Sequence, residues 1–126
     1  MKLELMEVLF IEARKASERP PEIIDSRIDM RNAELNAGNL AVEFVYSASY
    51  ATDGSYIRMG GKALFSGPEA KAASDEWKKS KRISGKPGEA IVNAINYGSS
   101  LNSVLVARVL NIVPPLAPPP IAFEKK

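Results

Sequence analysis

The side chains with chemistry to offer in this chain are carboxylates. Glu22, Asp25, Asp29, Glu34 and Glu43 fall in one stretch. Two carboxyl groups whose surroundings push their pKa values apart can share the work of general acid and base. Here they alternate with Arg27 and Arg31, which is the spacing of a strand whose charged face looks into water and pairs its acids with its arginines. The firmer statement is negative. The chain has no histidine and no cysteine. That removes the commonest general base, the thiolate nucleophile, the disulfide and the sulfur metal site. Lys or Tyr chemistry stays open in principle, but no constellation supports it. The expectation is a protein that is not an enzyme and calls for no metal and no cofactor.

Two further groups of residues invite a chemical reading. Gly60-Gly61-Lys62 places a lysine after glycines, but a phosphate loop needs GxxxxGK[ST] between a strand and a helix, and here Ala63 follows inside a strand. The pair instead marks a bulge or a place where another backbone crosses. Lys78, Lys79, Lys81, Arg82 and Lys86 form the densest positive charge of the sequence. They suit a helix end, where cations complement the dipole, and they also suit contact with phosphates.

The elements that must position these residues change period along the chain. Residues 3–13 are apolar with interleaved glutamates; propensity alone allows a helix, and Val8, Phe10 and Ile11 favour a strand. Ser17-Glu18-Arg19-Pro20-Pro21 breaks it. In 22–31, Ile24, Ser26, Ile28 and Met30 alternate with Asp25, Arg27, Asp29 and Arg31, a half-buried strand. Asn36-Ala37-Gly38-Asn39 is a turn. Leu40, Val42, Phe44, Tyr46, Ala48 and Tyr50 then share one strand face, Asp53-Gly54 marks a hairpin, and Ile57, Met59, Gly61, Ala63 and Phe65 line the return strand. At Ser66-Gly67-Pro68-Glu69 the period becomes helical, with Ser66 as cap and Ala70, Ala73 and Trp77 on the apolar face. A second helix runs from about Pro87 to Tyr97, with Ile91, Ala94 and Ile95 inward and Gly98 as its end. Ser99 or Ser100 caps a third, through Leu110, that is apolar nearly all round. Five prolines within 114–120 then impose an extended path.

At 126 residues, 45% hydrophobic, 25% charged and net +2, the chain fits one domain over 1–126 with a core of its own. The charge is modest for a free nucleic-acid binder. Met1-Lys2-Leu3-Glu4 lacks the apolar run of a signal peptide, and no window approaches the ~18 apolar residues of a membrane span. A cytoplasmic location is expected.

The order of parts resembles the SecB-like fold family, that of the SecB protein-export chaperone and its relatives. The residues that carry the likeness are Phe44-Val45-Tyr46-Ser47-Ala48-Ser49-Tyr50, Gly60-Gly61-Lys62-Ala63-Leu64-Phe65, Glu76-Trp77-Lys78-Lys79, Asn93-Ala94-Ile95, and Ala107-Arg108-Val109-Leu110 with Pro114-Pro115-Leu116-Ala117-Pro118. The resemblance implies an α+β fold, a four-stranded antiparallel sheet from the N-terminal half packed by C-terminal helices. It also implies assembly as dimers of dimers and retention of unfolded polypeptide in apolar grooves. A mildly basic surface, with no acidic motor-docking tail before Lys126, counts against the export role but not against the fold.

Two functions follow as expectations. One is a chaperone-like protein that binds unfolded or extended polypeptide through Tyr46, Tyr50, Tyr56, Val104 and Leu105, with Leu116 and Ile121 shaping an edge. Tyrosine suits such a surface because it is amphipathic. The other is a ribosome- or RNA-associated accessory protein that docks through Lys78, Lys79, Lys81, Arg82 and Lys86.

Overall fold

The computed structural model describes residues 1–16, 24–50 and 54–115. Four strands, β1 (Lys2–Arg14), β2 (Ile24–Asn36), β3 (Asn39–Tyr50) and β4 (Tyr56–Ser66), precede two helices, α1 (Ala70–Ser80) and α2 (Gly85–Leu110). The strands form one antiparallel sheet in the order β1-β4-β3-β2, so β1 and β2 are its edges. α1 lies over β2 and β3, while α2 crosses toward β4 and β1. This is the α+β arrangement that the change of period at Ser66 implies.

The centre of the sheet is built from the most regular alternation in the sequence. Leu40, Val42, Phe44, Tyr46, Ala48 and Tyr50 of β3 are all buried. The register sets Leu40 beside Phe65, Val42 beside Ala63 and Ala48 beside Ile57 of β4. On this floor rest Ala70, Ala73 and Trp77 of α1, Ile83 of the connecting loop, and Ile91 and Ile95 of α2. A second cluster, nearer the β3–β4 hairpin, gathers Tyr46, Ala48, Tyr50, Ile57 and Met59 under Ala107.

β2 runs five residues beyond its regular alternation, to Asn36. A bulge between Met30 and Asn32 leaves Arg31 unpaired. The extra residue shifts the phase, so Ala33 turns inward where strict alternation would bury Asn32. Ala37 and Gly38, at φ 53° and 83°, then close a two-residue turn into β3.

Gly60 and Gly61 combine both roles expected of them. Opposite them β1 carries a bulge between Val8 and Phe10, with Val8 paired to Gly61 and Phe10 to Gly60. A Cβ on Gly61 would stand 1.9 Å from the carbonyl oxygen of Glu7, and one on Gly60 would stand 2.3 Å from the ring of Phe10. The β1 backbone thus bends against a strand that has no side chains in the way, and the Phe10 ring fills the space over Gly60.

Three local expectations change. Ser66 is the last residue of β4 and donates its hydroxyl to Glu4 (3.2 Å), and α1 starts after Glu69 with no side-chain cap. Gly98 does not end a helix: α2 is continuous for 26 residues, and Ser99 and Ser100 lie inside it. Glycine and serine mark helix ends because they are small or hydrogen-bond locally, and small residues serve equally where a helix presses on a sheet. Here Gly98 faces Met6 of β1, whose sulfur would lie 2.7 Å from an added Cβ. The third helix is therefore the second half of α2.

The two glycines separate by substitution. Gly61→Ala drives a methyl group into backbone and should lower stability by about 2 kcal/mol or more. Gly98→Ala meets only the end of a flexible methionine while removing a helical glycine, and should raise stability by roughly 0.5–1 kcal/mol. Urea unfolding of both variants checks the contrast, and equal effects would contradict it.

Candidate functional site

The residues expected to contact polypeptide are not brought together. Tyr46 and Tyr50 are core residues, 0% and 2% exposed. Their hydroxyls explain how tyrosines are tolerated there. The Tyr46 hydroxyl lies 3.3 Å from Ser26 Oγ, and the Tyr50 hydroxyl donates to the carbonyl oxygen of Val113. Each phenol is satisfied internally, so neither presents its polar tip to a groove. Tyr56 is on the opposite side of the sheet, more than a third exposed. With Ser47, Ser49 and Arg58 it lines an open depression of about 370 Å³. Val104 is half-buried and Leu105 is exposed, both on α2. Leu116 and Ile121 lie outside the described residues.

Of the carboxylates, Asp25, Glu34 and Glu43 are exposed and Asp29 is half-buried, as on a solvated face, while Glu22 lies outside the described residues. Asp29 pairs with Arg27 at 3.5 Å and with Arg31 at 3.8 Å, along the same strand. Glu12 of β1 pairs with Arg58 of β4 at 3.4 Å. Among the described residues no three acidic side chains converge as a metal site would require.

An apolar surface does exist, on other residues. Leu5, Leu9, Phe10 and Ile11 of the edge strand β1 are exposed, and so are Tyr97, Leu101, Leu105 and Val109 of α2. The second half of α2 is amphipathic in reverse. The side turned to the sheet carries Ser99, Ser103 and Ala107, and the side turned to water carries Tyr97, Leu101, Leu105 and Val109, which is 84% exposed. Each series has a spacing of four, and the two are offset by two residues. At 3.6 residues per turn they stand about 200° apart. Inside, the hydroxyls of Ser99 and Ser100 have no hydrogen-bond partner among the described residues, and Ser103 returns its hydroxyl to the carbonyl of Ser99 at 2.8 Å. Burying a large aliphatic side chain is worth about 2 kcal/mol. The outward stripe of α2 forgoes several such contributions. Gly98 over Met6 places this half of the helix beside β1. The spacing of 97, 101, 105 and 109 was available in the sequence. It reads as one all-round apolar helix only if the small residues between are counted as neutral.

Lys78, Lys79, Lys81, Arg82 and Lys86 are all exposed, at the junction of α1 and α2. Lys81 ends α1 in the left-handed conformation, φ 58°, its N–H donating to the carbonyl of Trp77 at 2.8 Å. The loop is tied by Glu76, whose carboxylate accepts from Ser84 Oγ at 2.6 Å and from the Ser84 N–H at 3.0 Å.

The fold and surface define a class: an open antiparallel sheet covered by helices on one side, with an apolar strip along one edge. Compared with known protein families, with curated proteins and with solved structures, the chain matches none. No helix among the described residues is long and apolar enough to cross a membrane.

The Ser84 side-chain hydrogen bond, then its backbone N–H, and to a smaller degree the charge of Arg82, hold the Glu76 carboxyl below the ordinary glutamate range against the opposing effect of burial. A lowered folded-state pKa means that the ionised form favours the folded loop. Its contribution is present above the unfolded-state value and is lost as the pH falls through the folded one. Protection of the Ser84 amide in hydrogen exchange should therefore drop as the pH is taken below the ordinary glutamate range. In Glu76→Gln the amide should show no such transition.

Proposed function

We propose that this protein is a chaperone-like, polypeptide-binding protein that works as a homo-oligomer, and that extended segments of a client dock along the β1 edge beside α2. The observation that carries the reading is that β1, at the end of the sheet and without a further strand beside it among the described residues, carries exposed apolar side chains. β1 is 13 residues long and lies at the end of the sheet. An extended chain can add to such an edge by main-chain hydrogen bonds, which are indifferent to sequence, while apolar side chains on both partners supply area. On the strand, Leu5 and Phe10 offer that area on the sheet face away from the helices and Ile11 on the helix side, with Leu9 at the bulge between them. This is a different set from Tyr46 and Tyr50, whose place in the core removes them from the reading. Tyr56, on the far side of the sheet, is not needed by it either.

The homo-oligomer has its own support in the outward stripe of α2. From Gly88 to Leu110 the helix has only Glu89 and Arg108 as charged residues. Two copies laid antiparallel about Ser103 set Tyr97 against Val109 and Leu101 against Leu105, with Arg108 the one charged residue in the span, the self-complementary pattern of a two-fold interface.

The triple variant Leu5→Thr, Leu9→Thr, Ile11→Thr keeps strand propensity and net charge while removing the apolar area of the edge. In a light-scattering assay of a denatured, aggregation-prone protein, the wild type should suppress aggregation near equimolar amounts. The variant should require at least tenfold more, with a melting temperature within a few degrees of the wild type. Equal suppression by a folded variant would overturn the edge as the site. Light-scattering mass should exceed that of a monomer and return to it in Leu101→Asp, Leu105→Asp. A monomeric wild type would overturn the oligomer.

A further inference from the structure

The α1–α2 junction carries a charge pattern that polypeptide binding at the opposite edge strand does not use. Residues 78–86 hold five cations and no acid. All five are exposed, and none forms an ion pair with a described residue. Among the nearest acids, Glu76 is hydrogen-bonded by Ser84 and feels the charge of Arg82 without pairing with it, whereas Asp75 and Glu89 lie outside the run. Helix electrostatics account for only part of this. Lys78 and Lys79 stand in the last turn of α1, where positive charge is favourable. Arg82 and Lys86 flank the start of α2, whose first turn has no acidic residue, and there positive charge opposes the dipole. An external anion would relieve that opposition.

The loop is also pre-shaped. Glu76 clamps Ser84, Ser80 Oγ donates to the Glu76 carbonyl at 3.0 Å, and Ile83 is anchored in the core at 6% exposure. The cations are thus displayed on a fixed turn rather than on a free tail, which lowers the ordering cost of binding.

We propose that this junction binds the phosphate backbone of a nucleic-acid duplex, without reading its bases. The apolar residues decide among anionic partners. Ile83 and Trp77 are both buried, so residues 77–86 present no apolar group for insertion into a bilayer. They also present no aromatic platform on which the unpaired bases of a single strand could stack. What remains is five exposed cations on one fixed turn, the groups that contact phosphates. With about four phosphates neutralised, affinity should weaken on the order of a hundredfold between 50 and 200 mM salt.

The test uses the full chain and fluorescence anisotropy. The probes are a mixed-sequence 20-base-pair RNA duplex, the same sequence as DNA duplex, the corresponding single strand, and vesicles containing phosphatidylserine. Binding to at least one duplex at 50 mM salt, insensitive to sequence and weakening about a hundredfold by 200 mM, is the expected result. The ratio of the two duplexes identifies the source. Lys79→Glu, Arg82→Glu, Lys86→Glu should abolish binding. The single changes Lys79→Gln and Arg82→Gln, which leave the fold intact, should each lower the salt slope by about one. The Leu5→Thr, Leu9→Thr, Ile11→Thr variant should bind the duplex as the wild type does, which separates this site from the edge strand. No duplex binding at 50 mM salt, binding to the single strand as tight as to the duplex, binding to vesicles alone, or salt slopes unchanged by the glutamine variants would each overturn the proposal.

Discussion

The passage of β1 over Gly61 governs the shape of this molecule. With a Cβ excluded at that position, the backbone of β1 closes on β4 and bulges at Leu9, and the strand curves along the side of the sheet. Met6 is thereby brought under Gly98, and α2 can descend on the edge strand at a second place where no side chain intervenes. Two glycines far apart in sequence act on one contact. The edge strand and α2 are drawn together at these positions.

The central hairpin was legible from the residues because its alternation is uninterrupted. Leu40 through Tyr50 and Ile57 through Phe65 face inward as their period of two requires. The rest of β2 was hidden by Arg31, since one bulged residue reverses which side of the strand is apolar. The continuity of α2 was hidden for a different reason. Gly98-Ser99-Ser100 has the composition of a helix end, and composition does not distinguish a cap from a tight crossing. Only the position of Met6, fixed by the sheet, decides between them.

The site was less legible than the fold. Tyrosine is amphipathic, and whether a phenol faces water or a buried acceptor depends on atoms remote in sequence. For Tyr46 the acceptor or donor is Ser26, and for Tyr50 it is the carbonyl of Val113, 63 residues away. The edge position of β1 is equally non-local, because it follows from the strand order β1-β4-β3-β2 and not from any pattern within residues 2–14. The basic cluster, by contrast, was visible directly. Charge that is contiguous in sequence and lies on a loop stays contiguous in space.

The hydroxyl-lined underside of α2 has a consequence for the order in which the molecule comes apart. Between Asn96 and Ala107 the buried side chains of this helix are serines, Asn96 and Ala107, with Val106 only partly buried, whereas β3 and β4 are joined by a full ladder and by Phe44, Phe65, Ile57 and Met59. Little apolar area is re-exposed when the distal half of α2 lifts away, and much is re-exposed when the central strands part. The distal turns of α2 are thus a separately opening unit of low free energy. They detach and re-dock many times for each global unfolding event, and whatever covers Leu101 and Leu105 sets how often.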